Sequence, residues 1–375
     1  MKDTTMDRAR RRCREVHQRM AGCGLSLRGV GLVLAFALLA ARAPAQKPLE
    51  RFPVCEPSAV ARVACGEGQT CLLVGDNEQE EDLFLYRVSA VNRTLEPFEG
   101  KRFSVRIPED VSDIEAIAAL GPSELLIFGS HGRGRDCDPK GKRRRFLRAG
   151  FEGGELDATG DGLVESKKIT CSRIFGALKN NDPVIDAVCS AIDKSEEAAE
   201  EVTDRLKKTK DERRAVRECS EAAPFNLEGA MTLEKGRAVE VWAGLRSPLV
   251  SYGEGAAKAV LLRLSALNGF EFNGATLLDL GGRGIRELSV SGEWVWGIAG
   301  PSGAGESPFS LWRFPKAKLV PGVVIRPEIV RSLPGSSEGL VFAGNTLWVL
   351  IDGGRGGKSG QCAQQGEVLP ITVTQ

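Results

Sequence analysis

Charged side chains fall at one equivalent position of a recurring sequence unit, and their types allow two kinds of chemistry. The units are SAVARVACGEGQTCLLVGD from Ser58, DIEAIAALGPSELLIFGSH from Asp113, NLEGAMTLEKGRAVEVWAGLR from Asn226, GIRELSVSGEWVWGIAG from Gly284 and SSEGLVFAGNTLWVLIDG from Ser336. Aligned, they place Ala59, Glu115, Glu228, Arg286 and Glu338 in one column, and Asp76, His131, Arg246 and Asp352 in a second column at the far end of the next apolar run. Glu115, Glu228 and Glu338 around a common axis would offer oxygen ligands to a hard divalent cation such as calcium. Arg246 and Arg286, with Asp76 and Asp352 beside them, would instead hold a ligand, the guanidiniums gripping an anionic group in bidentate fashion. His131 is the sole histidine after residue 45 and could act as a catalytic base or proton shuttle at the same place. Against these readings stands a plainer one: acidic residues before a strand cap turns, Arg286 neutralises its neighbours, and a histidine among glycines is a hydrogen-bonded turn residue.

The elements that must position these residues are strands. Each unit is an apolar run, a Gly-containing turn and a second apolar run, as in Glu124–Phe128, Val239–Trp242 and Thr346–Ile351. Later strands follow, among them Leu83–Val88, Val260–Leu264 and Phe309–Phe314. A unit repeated about every 50 to 60 residues, each too small to bury both faces, is the signature of a β-propeller. The predicted fold is therefore all-β, a propeller of five blades of about four antiparallel strands, with room for a sixth between Gly141 and Cys171. The last unit has about three strands, and Leu49–Val54 precedes the first, so one end of the chain could complete the other's blade and remove an exposed edge. In a propeller the first strand of each blade lines the channel, which puts the first column at its rim.

Residues 1–45 read as a secretory signal: arginines from Arg8 to Arg28, the apolar run Gly29–Ala41, and Ala43-Pro44-Ala45 before Gln46. That run is shorter than the roughly 20 residues a spanning helix needs, so an exported chain, periplasmic or secreted and without stable membrane insertion, is expected. The segment holds nine of the 51 Lys/Arg and three of the 50 Asp/Glu, leaving 42 and 47 and a net charge of −5. Such a balance excludes a general nucleic-acid binder. Eight cysteines remain, with no C-x-x-C pair, which favours disulfides over zinc thiolates. Cys65 and Cys71 flank one turn and could cross-link its strands, while Cys55 and Cys362 could staple the two ends of the ring.

The segment 180–222 breaks the pattern. Val184, Val188, Ile192, Ala199, Val202 and Leu206 recur at helical spacing, so a helical insertion in blade two is predicted. On one straight helix Cys189 and Cys219 would lie about 45 Å apart; a helical hairpin would bring them together. Three further motifs read as ordinary structure. Asp157–Gly162 opens like a calcium loop but has Lys168 at the twelfth position, and is expected to be a hairpin turn. Gly353–Ser359 resembles a phosphate loop without its first glycine or following helix, and Lys140–Arg145 is a basic run expected to be a solvated loop.

The segments NLEGAMTL, VWAGLRSPLV, LDLGGRGIREL, AGPSG and PFSLWRF, with DIEAIAAL and FGSHGR upstream, resemble the bacterial family catalogued as domain of unknown function 3616. The resemblance spans about Cys55 to Gly353 and implies a β-propeller-like fold in a family without an assigned activity. More distantly, the chain is similar to esterase-like and phytase-like propellers, whose repeats begin with an acidic residue before Gly. Glu228-Gly229 and Glu338-Gly339 match that dipeptide, Glu115-Ala116 departs from it, and the first and fourth units lack the Glu. Two functions are expected in consequence. One is a monomeric binding module whose channel rim takes a small molecule, glycan or protein. The other is a calcium-type phosphoesterase or esterase using the carboxylate ring.

Overall fold

A computed structural model describes residues 50–373, apart from 52–53, 67–68, 78–81, 90–93, 99–102, 107–110, 135, 153–154, 164–168, 177–181, 210–211, 236–237, 265–270, 304–306 and 355–364. The expected signal segment, Cys362 and most of Gly353–Ser359 lie outside the described residues. Strand β1 (Glu50–Arg51) comes first. Blade one holds β2 (Pro57–Ala64), β3 (Thr70–Asp76), β4 (Asp82–Ser89), β5 (Thr94–Pro97) and β6 (Phe103–Arg106), the last two both pairing with β4. Blade two holds β7 (Ile114–Gly121), β8 (Glu124–Gly129), β9 (Arg145–Glu152) and β10 (Glu155–Leu163). Helices α1 (Cys171–Ile174), α2 (Pro183–Thr209) and α3 (Glu212–Ala222) lead to blade three, which is β11 (Asn226–Lys235), β12 (Ala238–Val250), β13 (Lys258–Leu264) and β14 (Phe272–Leu278). Blade four begins with β15 (Gly284–Ser291), β16 (Trp294–Gly300) and β17 (Ser310–Pro315); the short β18 (Val324–Ile325) then adds in parallel to β14, and β19 (Glu328–Ser332) completes blade four. Blade five is β20 (Ser337–Ala343), β21 (Thr346–Ile351) and β22 (Glu367–Thr372), finished by β1 on β22.

The ring is thus a five-bladed propeller whose last blade is closed by the first strand. Its innermost strands contact one another in the order β2, β7, β11, β15, β20 and back to β2. Among the described residues of 141–171 there is no sixth blade; β9 and β10 are the outer strands of blade two, and Asp157–Gly162 runs inside β10 with a bulge between Ala158 and Gly160 instead of forming a turn. The run Lys140–Arg145 is also less solvated than expected: Gly141–Arg144 forms a 3-10 turn with Arg144 buried.

Apolar side chains buried on both faces of the inner strands explain the continuous apolar runs. In β3, Cys71 and Leu73 face blade two, whereas Leu72 and Val74 pack with Trp348 and Leu350 of blade five. Every pair of neighbouring blades shares such a cluster, and each fully buried Leu or Phe contributes about 1.5–3 kcal/mol. The two-residue loops Gly292-Glu293 and Gly344-Asn345 put glycine in the left-handed region, which suits tight hairpins.

The helical segment connects blades two and three and does not interrupt blade two, as the strand order requires. Asp182 caps α2, its Oδ1 accepting from Val184 N–H at 2.9 Å, and Pro183 follows at the first helical position. Val184, Ile185, Val188 and Ile192 enter the core between blades two and three. The helices do form a hairpin, yet Cys189 and Cys219 are not partners: Cys171 pairs with Cys189 and Cys137 with Cys219. Sequence separation by itself says nothing of which blade loop reaches which helix. Cys65–Cys71 forms as predicted, and Cys55 is also disulfide-bonded. Among the described residues no helix is long and apolar enough to cross a membrane.

Candidate functional site at the channel mouth

Each innermost strand carries a one-residue β-bulge near its start. Pairing skips Ser58 in β2, Glu115 in β7, Glu228 in β11, Arg286 in β15 and Glu338 in β20. A bulge re-aims the extra side chain out of the alternating pattern, and here it gathers one side chain from each blade at one end of the channel. The first column of the sequence alignment is this set with one correction. Blade one contributes Ser58, because Ala59 pairs normally with Gly75 and faces the core between blades one and two.

Arg286 is the centre of the set. Its Nη1 lies 2.8 Å from Glu228 Oε2, its Nε donates to Glu338 Oε2 at 2.8 Å, and its Nη2 closes a second bond to Glu338 Oε1. The guanidinium also lies over the Phe309 ring, 5.9 Å from its centroid. Arg246 Nη1 holds the other Glu228 oxygen at 2.8 Å, and Asn226 Nδ2 donates to that oxygen at 3.3 Å. On the opposite side Asn77 Nδ2 donates to Glu115 Oε1 at 3.0 Å, and Ser58 donates to the Ile114 carbonyl at 2.5 Å. Asp113 and Arg143 form an ion pair of 2.9 Å beside Glu115.

Burial dominates the electrostatics. It pushes Glu115 well above the usual carboxylate range, helped by the charges of Glu228, Asp113 and Glu338 and opposed by Arg286. Glu338 is raised for the same first reason, against the pull of Arg286. Burial works to lower Arg286, but the Glu228 and Glu338 carboxylates outweigh it and hold the guanidinium above its ordinary value. A cation shared by Glu228 and Glu338 would have to enter where Arg286 now bridges them, and among the described residues no three His, Cys, Asp or Glu are grouped to hold a metal.

The second column does not converge. Asp76 accepts from the backbone N–H groups of Cys55 at 3.0 Å and Glu56 at 3.2 Å, so it fastens the entry to blade one. Asp352 accepts from Gly354 N–H at 2.6 Å within its own loop. His131 is fully buried at a φ of 58°, with Nδ1 2.8 Å from the Gly129 carbonyl and its ring edge-on to Phe225. Burial lowers its pKa to about 3, which keeps the buried imidazole neutral. Arg246 of this column reaches the first set, through Glu228.

No family model matches the chain, and no curated protein matches it. The likenesses found are of fold. A hydrazine synthase of Kuenenia stuttgartiensis aligns over 80% of this chain and 57% of its own, at 10% identity and a TM-score of 0.35. The GH43 β-1,3-galactosidase BT3683, solved with galactodeoxynojirimycin, aligns over 88% and 94% at 9% identity and 0.43. The PQQ-bound aldose sugar dehydrogenase of Streptomyces coelicolor aligns over 86% and 97% at 14% identity and 0.38. This chain therefore spans little more than half of the first of these and nearly all of the other two.

Several mouth residues, Asn77, Asn226, Asp113, Arg143 and Phe309, escaped the sequence reading, as did Glu287, buried against β11. One had a visible signal. The residue after the bulge is Ala59, Ala116, Gly229 or Gly339 in four blades, and Glu287 in the fifth, a buried acid in a column of small residues.

Proposed function

We propose that this protein is a binding module that takes a small polyhydroxylated molecule, a sugar or short glycan in its chemistry, at the channel mouth. The observation that supports this best is the mutual pairing of the mouth's charges, with Arg286 bridging Glu228 and Glu338 and Arg246 on Glu228. Groups paired in this way keep donors and acceptors at fixed spacing while offering little net charge to an anion. Hydroxyl groups both donate and accept, so a polyol can join such an array without breaking its ion pairs. Phe309 beside Arg286 adds an apolar surface of the kind that rests against the C–H face of a sugar.

Hydrolysis is the second reading, favoured by Glu115. It is half-buried, it has no arginine partner among the described residues, and burial holds its carboxyl in the protonated direction, as a general acid requires. In its metal-dependent form this reading needs a divalent cation, calcium for oxygen ligands, held by Glu115, Glu228 and Glu338 in competition with Arg286.

Thermal unfolding of the oxidised protein tests the two together. A neutral sugar present at a hundredfold its dissociation constant should add about 2.7 kcal/mol and raise the midpoint, and Asn77→Ala should weaken that shift. Absence of any shift across a panel of neutral and amino sugars would remove the binding reading. Release of nitrophenol from aryl glycosides or aryl phosphates, abolished by Glu115→Gln, would install the hydrolytic one, and dependence on added calcium would select its metal form.

A further inference from the structure

The geometry points to a second binding site, a groove between the helical insertion and the loops of blades three and four, for a small carboxylate with an apolar body. Helix α2 buries Val184, Ile185, Val188 and Ile192 in the core between blades two and three. The adjacent stripe of the same helix, Ala187, Ser190, Ala191, Lys194 and Ala198, recurs at spacings of three and four and lines the groove with mostly short side chains. Pro248 and Leu249 at the end of β12, Ser251 just beyond it, and Ser302 after β16 form the rest of the lining. The space they enclose is a cavity of about 530 Å³, inside the roughly 300–1,000 Å³ usual for small-molecule sites. None of the five bulge residues of the channel mouth lines it.

The walls are fastened, so the groove is formed before any ligand arrives. Cys171–Cys189 and the buried Arg133–Glu196 pair at 2.8 Å hold α2, and Cys137–Cys219 holds α3. Ser247 Oγ donates to the Pro224 carbonyl at 2.5 Å, tying β12 to the chain that leaves α3. The blade-four loop rests on the end of α3 so closely that a Cβ on Gly303 would lie 2.5 Å from the Ser220 carbonyl oxygen. A preformed groove of this kind costs little ordering on binding.

Its polar groups are unused. Lys194 is exposed and has no ion pair or hydrogen bond among the described residues, and the same holds for the hydroxyls of Ser190, Ser251 and Ser302. The acid of the lining, Glu221, is turned to Arg217 at 3.7 Å. One free cation and three hydroxyl donors thus stand over a floor of alanine, proline and leucine. A carboxylate accepts from both kinds of donor, and its single charge matches the single ammonium. Covering Ala191, Ala198 and Leu249 supplies the apolar part of the affinity, while Lys194 distinguishes an acid from its neutral analogue.

Calorimetric titration of the oxidised protein with phenylacetate and octanoate, each against its neutral amide, tests the site. At least one acid is expected to bind about tenfold more tightly than its amide. Lys194→Met should bring the acid down to the level of the amide and leave the amide unchanged, with no shift in melting temperature because Lys194 is exposed. Ala198→Phe fills the groove and should abolish binding of acid and amide alike; Ser251→Phe blocks it from the opposite wall and keeps the test open if Ala198→Phe disturbs α2. Failure of both acids to bind, equal affinity for acid and amide, a preference that survives Lys194→Met, or binding that survives both blocking variants would each overturn the inference. Sugar binding at the channel mouth should be unaffected by all three substitutions, so the fate of that reading is decided separately.

Discussion

The two columns of charged residues occupy comparable places in every blade and behave in opposite ways. Residues on the bulges of the innermost strands, Glu115, Glu228, Arg286 and Glu338, turn toward one another across blades. In the second column Arg246, inside β12, joins the bulge set through Glu228, while the residues at strand ends turn back onto their own blade: Asp76 onto Cys55 and Glu56, Asp352 onto Gly354, His131 onto Gly129. The difference lies in the backbone. A bulge frees one side chain from the pleat and aims it along the axis, whereas a strand end has loop N–H groups to satisfy, and nearby carboxylates supply the acceptors. A charged residue near a propeller's axis is thus a ligand candidate when it sits on a bulge, and a structural fastener when it closes a strand.

The contrast can be broken first at Arg286. Arg286→Met leaves Glu338 buried without its bonded cation and Glu228 with Arg246 alone, which should cost about 3–5 kcal/mol in urea unfolding. Adding Glu228→Gln and Glu338→Gln to it should return much of that loss, because the charges that needed Arg286 are gone. A loss under about 1 kcal/mol for Arg286→Met would mean that the set is hydrated and loosely paired.

His131 gives the next largest effect, and its sign is fixed. The folded pKa of about 3 lies below the ordinary 6.5, so as pH falls below 6.5 the unfolded chain takes up a proton that the folded protein refuses. Stability is then lost at up to about 1.4 kcal/mol per pH unit until pH approaches the folded value. His131→Asn tolerates the left-handed backbone there and should flatten this part of the pH–stability profile while leaving sugar affinity unchanged. Asp76→Ala is expected to be milder, about 1–3 kcal/mol for two backbone N–H groups that lose their acceptor, again without effect on binding.

Much of this arrangement was legible in the sequence, and the limits were physical. The strands announced themselves because blades are buried on both faces, so runs such as Leu72-Leu73-Val74 are uninterrupted. The mouth column was found to within one residue. Ser58 was displaced to Ala59 because a bulge inserts a residue that composition does not mark, and only pairing with Gly75 shows where it falls. The disulfides Cys137–Cys219 and Cys171–Cys189 depend on how a blade loop meets two helices, a tertiary matter that spacing along the chain does not encode. Glu287 stands out in the sequence as the odd acid among Ala and Gly, yet its packing on Gly229 and its bond from Leu288 N–H follow only from the fold.

The bulge residues as the ligand site are tested most directly by mapping backbone amide shifts in the presence of glucosamine. Binding at the mouth predicts that the perturbed amides cluster at Ser58, Glu115, Glu228, Arg286 and Glu338, one from each blade, with Cys55, Glu56 and Gly354 unmoved. Perturbations confined to the second-strand ends or to α2 and α3, or none at saturating sugar, would contradict it.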